Sequence, residues 1–381
     1  IEESAKRPPE IRGQKKRPIS LDGMLLDDSQ IEAINSASNQ RLTLIQGPPG
    51  TGKTHTAVHL LKCLIEMGRG PILATAESNV AVDNLLEGLI DLGVDAIRFG
   101  RPVKVREGLR EATLDAKIAS HPKQDEIAFI KEETDAMRKK LHDLKGKDKG
   151  LAHRDINKNY REVRELEQKI TDEILNNAQV LCTTNIGAGH FSLSKRKFSI
   201  VLIDEATQAT EPSALVPIVK GARQLILVGD HKQLPPTVTS RRAEERGLEI
   251  PLFERLLSSG LTAHMLTTQY RMHPSIREFP SSRFYENRLD DGCGKQDRPP
   301  VAGFLWPDWD KPVAFVPVHG AEIEEEAGSS RSNMDEAAVV IQVVNDLLLP
   351  GDIKPEDIGV ISPYAGQVLS LIHISEPTRP C

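Results

Sequence analysis

Aromatic residues are scarce in this sequence, 4% of 381 positions, so aliphatic side chains must build its cores. Long apolar runs are missing too; with no stretch of about 18 apolar residues, no transmembrane helix is expected. The cysteines, Cys63, Cys182, Cys293 and Cys381, include no C-x-x-C pair, which argues against a zinc site or a disulfide framework. Reduced thiols point to an intracellular setting, cytoplasmic or nuclear. A basic surplus is also lacking. The net charge is −6, so any nucleic-acid site has to be a local basic groove. The first residue is Ile1 rather than Met, and the opening "EESAKRPPEIRGQKKRP" has no apolar signal-peptide core. The natural start is expected further upstream.

What is present is the balance of a soluble globular protein, 39% hydrophobic and 27% charged, in a chain long enough for two domains. Residues 1–19 read as a flexible basic arm. "LDDSQIEAINSAS" offers Asp27, Asp28 and Ser29 as caps for a helix. The strand "RLTLIQG", the helix "HTAVHLLKCLIEMG", the strand "PILATA" and the helix "NVAVDNLLEGLIDLG" follow. This alternation predicts an α/β fold, a parallel sheet with helices on both faces. From about 105 to 178 no strand pattern occurs. Ile127, Ile130, Thr134, Met137, Leu141 and Leu144, then Ile156, Tyr160, Val163, Ile170 and Ile174, predict two antiparallel helices broken at "GKDKG". Strands return at "AQVLCTT", "FSIVLIDEA" and "QLILVGD". The expected layout is a first lobe over 20–248 with the helical insertion, and a second over 249–368. "HMLTTQY" is read as the second lobe's first strand and "DIGVISPY" as a later one.

"GPPGTGKT" fits G-x-x-x-x-G-K-[ST] in full, in the strand-to-helix context that the motif requires. Gly47, Pro48, Pro49, Gly50, Thr51 and Gly52 form a loop whose N–H groups can approach phosphates, aided by the helix N-terminus. Lys53 can reach the β- and γ-phosphates, and the Thr54 hydroxyl can ligate magnesium. "IVLIDEATQ" ends a strand in Asp204 and Glu205. Asp204 suits magnesium held through water, and Glu205 suits activation of an attacking water. Two such carboxylates also fit a solvated loop. In "LILVGDHKQLPP", Gln233 suits sensing of the γ-phosphate or the attacking water, although taken in isolation it reads first as a surface glutamine; Asp230 is a candidate cap. The guanine-reading N-K-x-D and the L-S-G-G-Q signature are both missing, which favours adenine.

"GPPGTGKT", "AESNVAVDNL", "IDEATQATEPS", "VGDHKQLPP", "QYRMHPSIREFPSSRFYENRL" and "ISPYAGQV" occur in this order. Together, over about residues 22–368, they resemble a superfamily 1 helicase of the branch that includes the nonsense-mediated-decay helicase. The resemblance implies two RecA-like lobes with ATP and magnesium in the cleft between them, and 5′ to 3′ movement on single-stranded RNA or DNA. Arg271 matches the family's arginine finger, Tyr270 the residue that stacks on adenine, and Gln30 the glutamine that reads the adenine edge. Ser78, Asn79 and Val80, then Thr183 and Thr184, fall in blocks that contact the strand. Tyr364 and Gln367 fall in the matching block of the second lobe. Each of these also fits a helix cap or a strand end.

Two departures stand out. Relatives often carry a small β-barrel before the second ATPase strand, and here the interval reads as helices alone. After "ISPYAGQV" the family would continue with a glycine-containing block and a second arginine block, and neither follows. Leu369 to Arg379 read instead like a translated sequencing-library adapter. Residues 369–381 are thus expected to be non-native, and the natural protein is expected to continue. The 381-residue chain should bind nucleotide and hydrolyse it poorly. A monomer is expected, with protein regulators as further partners. The alternatives are a P-loop ATPase switch acting on a protein partner and an inactive RNA-binding scaffold.

Overall fold

A computed structural model describes residues 25–142, 144–324 and 330–375. The arm expected over 1–19 and the end of the expected tail, 376–381, lie outside them. The chain divides into two compact units, 1–268 and 269–381.

The first unit is built on a seven-stranded sheet ordered β3-β4-β2-β5-β6-β1-β7, with every pair parallel. The strands are β1 (Leu42–Gln46), β2 (Ile72–Ala76), β3 (Ala96–Arg98), β4 (Val180–Thr184), β5 (Ile200–Asp204), β6 (Gln224–Gly229) and β7 (Ala263–Met265). β2 and β5 are buried along their whole length, as strands covered on both faces must be. Side chains alternate between two cores. Ile45, Ile72, Ala74, Leu202, Ile226 and Val228 face one side, packed with α1 (Asp28–Asn39), α2 (Lys53–Glu66) and α3 (Asn79–Asp91). Leu44, Leu73, Val201, Ile203 and Leu227 face the other, with Leu193, Ala214 and Phe253.

The insertion runs from β3 to β4. After a short α4 (Leu114–Ala119) it forms α5 (Gln124–Lys140) and α6 (Gly146–Asn177), which share a small core of Ile127, Ile130, Val163 and Ile170. "GKDKG" does not break the pattern as expected; α5 ends at Lys140, and "GKDKG" opens α6 at Gly146. Gly146 is the first residue of α6, and the interior Gly150 costs the helix roughly 1 kcal/mol, which its 32-residue length absorbs.

Three further helices complete this unit: α7 (Glu211–Ile218), α8 (Arg241–Glu244) and α9 (Leu252–Ser258). The strand expected to open a second lobe, within "HMLTTQY", is instead β7. Its residues Ala263–Met265 pair with Leu44–Gln46.

The second unit contains α10 (Pro274–Phe284), α11 (Met334–Leu348) and α12 (Ala365–Ser375), with a small antiparallel ladder of Ile323–Glu324 and Arg331–Ser332. "DIGVISPY" carries no strand; a strand exists only where a neighbour takes its hydrogen bonds, and no ladder forms there among the described residues. Among the described residues no helix is long and apolar enough to cross a membrane.

Candidate functional site

The candidate site of the first unit lies at the C-terminal ends of its strands, where open parallel sheets collect ligands. β1 ends at Gln46, and the loop 47–52 turns straight into α2. Gly47 N–H donates to Gly229 O at 2.9 Å, which ties the loop to the end of β6. Gly50 and Gly52 have φ of +78° and +76°, a left-handed backbone that glycine adopts without strain. A Cβ on Gly52 would also stand 2.8 Å from Gln30 Nε2, and one on Gly47 would collide with the Lys53 side chain. No side chain caps the α2 N-terminus, so its first N–H groups keep their donor capacity and the helix dipole its positive end.

Lys53 Nζ donates to Gly47 O at 3.1 Å and lies 3.6 Å from Glu205 Oε1. Thr54 Oγ1 donates to Asp204 Oδ2 at 2.9 Å. Asp204 is fully buried at the end of β5, and burial pushes its carboxyl up to about 6. The Glu205 charge pushes the same way, against the Thr54 hydroxyl and the Glu205 N–H, which donates to Asp204 Oδ1. A bound cation would favour the carboxylate form. Glu205 has φ of +49°, a costly conformation for a residue with a Cβ, and it turns the chain sharply off the strand. A hydroxyl and a carboxylate beside a phosphate-type loop are the oxygen donors that magnesium takes, so these residues fit a magnesium nucleotide.

Gln233 and Asp230 form one unit beyond β6. Asp230 accepts from Gln233 Nε2 at 2.8 Å, Lys232 N–H at 3.2 Å and Gln46 Nε2 at 3.3 Å. Asp230 thus caps the turn and also holds the Gln233 amide. Gln30 is buried under the phosphate-type loop. Its Nε2 donates to Thr51 O at 3.1 Å, while its Oε1 accepts from Asp27 N–H in a reciprocal cap of α1. Asp27 was legible as a cap. The return bond from Asp27 N–H to Gln30 also has a sequence signal, a Gln at the third helical position.

The second block of candidates gathers at the neighbouring ends of β2 and β4, where Ala76 pairs with Thr184. Ser78 caps α3 by accepting from Ala81 N–H at 3.1 Å, and Thr184 Oγ1 accepts from Gly187 N–H at 3.1 Å. Val80 is exposed; Thr183 is fully buried. Asn79 accepts from Arg98 Nη2 at 2.9 Å, and Arg98 is itself buried against Asp83. Sequence reading missed Arg98 and Asp83, although a cation inside the buried strand "AIR" was the signal. It also missed Glu77, which accepts from Asn185 Nδ2 at 3.0 Å and Ser213 Oγ at 2.6 Å.

In the second unit Tyr270 and Arg271 are exposed at the head of the unit. Among the described residues the Arg271 guanidinium makes no hydrogen bond or ion pair. Tyr364 is half exposed. Gln367 is buried, with its Oε1 accepting from Asn333 N–H at 2.6 Å and its Nε2 donating to Asn333 O at 3.0 Å. Both ends of that amide hold the start of α11.

Two family models, each described as an AAA domain, match residues 25–241 and 248–377. The regulator of nonsense transcripts 1 homolog of Drosophila melanogaster is 40% identical over 348 residues, 91% of this chain and 28% of that protein. The ATP-dependent helicase NAM7 of Saccharomyces cerevisiae is 41% identical over 343 residues, 90% of this chain and 34% of that protein. The chain therefore spans about a third of the length of such relatives. An arterivirus helicase, nonstructural protein 10 solved with DNA, aligns at a TM-score of 0.36 and 12% identity over 69% of this chain and 43% of that one, too weak a likeness to carry an argument. The first AAA model alone matches more than half of the chain, and on that match and the identities above the chain belongs to the AAA-domain family, among the superfamily 1 helicases that resemble the regulators of nonsense transcripts.

Proposed function

We propose that this chain is the ATP-hydrolysing part of a helicase that moves 5′ to 3′ on single-stranded RNA or DNA. The observation that carries the reading is the convergence of Lys53 on Glu205 and of Thr54 on Asp204 at the foot of one helix. Lys53 and the N–H groups of loop 47–52 hold the phosphates, and Gln30 and Tyr270 hold the adenine. Thr54 and Asp204 would hold magnesium, which would supply positive charge to offset that of the phosphates. Glu205 orients the attacking water and takes its proton, and Gln233, steadied by Asp230, senses the γ-phosphate. Arg271 supplies positive charge to the phosphoryl group as it transfers. Ser78, Val80 and Thr184, near the protein surface, contact the strand backbone, while Asn79 and Thr183 shape the same strand ends from beneath. Such contacts position a strand without reading its sequence.

The test is ATP turnover with and without oligouridine or oligothymidine. Strand addition should raise turnover several-fold. Glu205→Gln should lower turnover by about 10²–10⁴ while binding of a fluorescent ATP analogue persists. Turnover that no strand alters would favour a switch acting on a protein partner.

A further inference from the structure

Arg298 grips two consecutive main-chain carbonyls of the second unit. Its Nη2 donates to Tyr270 O at 3.1 Å and its Nε to Arg271 O at 3.0 Å, while Nη1 donates to Asp297 O at 2.8 Å. The same loop is held from beneath by Gln269, which is fully buried. Gln269 Oε1 accepts from Arg271 N–H at 3.0 Å and from Met272 N–H at 2.7 Å. Its Nε2 donates to Met272 O at 2.8 Å and to Asp291 Oδ1 at 2.9 Å. Asp291 is in turn paired with both Nε and Nη2 of Arg277. Five successive polar groups, from Tyr270 O to Met272 O, are thus bonded by two side chains. The Arg271 guanidinium, by contrast, makes no bond among the described residues.

A fixed main chain beneath an uncommitted cation is the arrangement that a charge-delivering arginine needs. Its reach is set in advance, and nothing has to be broken before it acts. We infer that Arg298, with Gln269 braced by Asp291 and Arg277, is a positioning clamp that sets where Arg271 presents its charge. The inference rests on the proposed role of Arg271 in phosphoryl transfer. The clamp touches no substrate; it works through Arg271. A planar fork is required, because two carbonyls that follow each other in the chain must be met at once. Lysine, a single point of charge, can meet one of them.

The decisive variant is Arg298→Ala, since Arg298 is exposed and its removal leaves no core cavity. Gln269→Ala is a poorer probe because it strips a buried position. Hydrogen exchange of the Arg271 and Met272 amides reports the clamp itself, and should quicken about tenfold or more in Arg298→Ala while α11 is unchanged. Strand-stimulated ATP turnover reports the consequence. The kcat should fall about 10- to 100-fold in Arg298→Ala, and Arg298→Lys should recover part of it. In an Arg271→Ala background, Arg298→Ala should cost nothing further, because the group it positions is gone.

Unchanged exchange would overturn the clamp, and so would an equal loss of kcat in both backgrounds. If Arg271→Ala itself leaves turnover intact, the role proposed for Arg271 fails, and this inference with it. A chain that hydrolyses no ATP at all overturns the proposed function and, with it, the catalytic consequence of the clamp, whereas unchanged exchange with turnover intact overturns the clamp alone.

Discussion

Thr54 and Asp204, 150 residues apart in sequence, are joined by a 2.9 Å hydrogen bond that fastens the first turn of α2 to the end of β5. On the proposed function these two side chains part to admit magnesium. Thr54→Ala should then lower affinity for an ATP analogue about 10-fold with magnesium present, the size of one lost bond to a charged group. In EDTA it should leave affinity unchanged. Fluorescence titrations under the two conditions check this, and a loss of equal size in both would remove Thr54 from the metal site.

The Arg98–Asp83 pair is buried, with Nε to Oδ1 at 2.9 Å, and it also anchors Asn79 and the N–H of Arg106. Asp83→Ala leaves a buried cation without its counter-charge and should cost about 3–5 kcal/mol. Replacing both partners, Asp83→Leu with Arg98→Met, should recover most of that. Urea denaturation followed by tryptophan-independent circular dichroism measures both. A double variant no more stable than Asp83→Ala would mean that the pair's bonds to Asn79 and Arg106 matter more than its charge balance.

His59 lies on the buried side of α2, and burial lowers its pKa below the usual 6.5. The folded state therefore binds this proton less readily than the unfolded chain. Its contribution to stability is full above about pH 6.5 and is lost as the pH falls through the lowered folded value. Thermal melts at pH 7.5 and 5.5 should show a smaller drop for His59→Leu than for the unsubstituted protein. An identical drop would assign the acid sensitivity to other groups.

Ile170 is fully buried in the small core shared by α5 and α6. Ile170→Ala should weaken the hairpin by about 2–4 kcal/mol. Limited proteolysis should then cut within 124–177 sooner, with nucleotide-analogue affinity unaltered. Reduced affinity would show that the hairpin supports the nucleotide loop.

Legibility in the sequence followed locality. Lys53 and Thr54 stand in a contiguous motif, and Asp204 and Glu205 at the end of a strand whose buried run is plain in "IVLID". α1 to α3 could be read from caps and periodicity. β7 could not be assigned, because whether Ala263–Met265 joins the first sheet depends on β1 lying beside it, and no short-range pattern encodes that neighbour. The same limit hid Arg298, whose partners Tyr270 and Arg271 lie 28 and 27 residues earlier in the chain. It also hid the commitment of the Gln367 amide to Asn333, 34 residues away.

The helical insertion departs from β3 and returns at β4, adjacent ribbons at one margin of the sheet, with Ala96 facing Val180. The insertion enters the main core through Leu114 and Leu175 at its two ends, and its hairpin keeps a small core of its own. Evolution can lengthen, trim or exchange the middle of such a cassette while the strands that lead to Lys53, Asp204 and Gln233 keep their register, so diversification among relatives should concentrate at this margin and spare the phosphate-type loop.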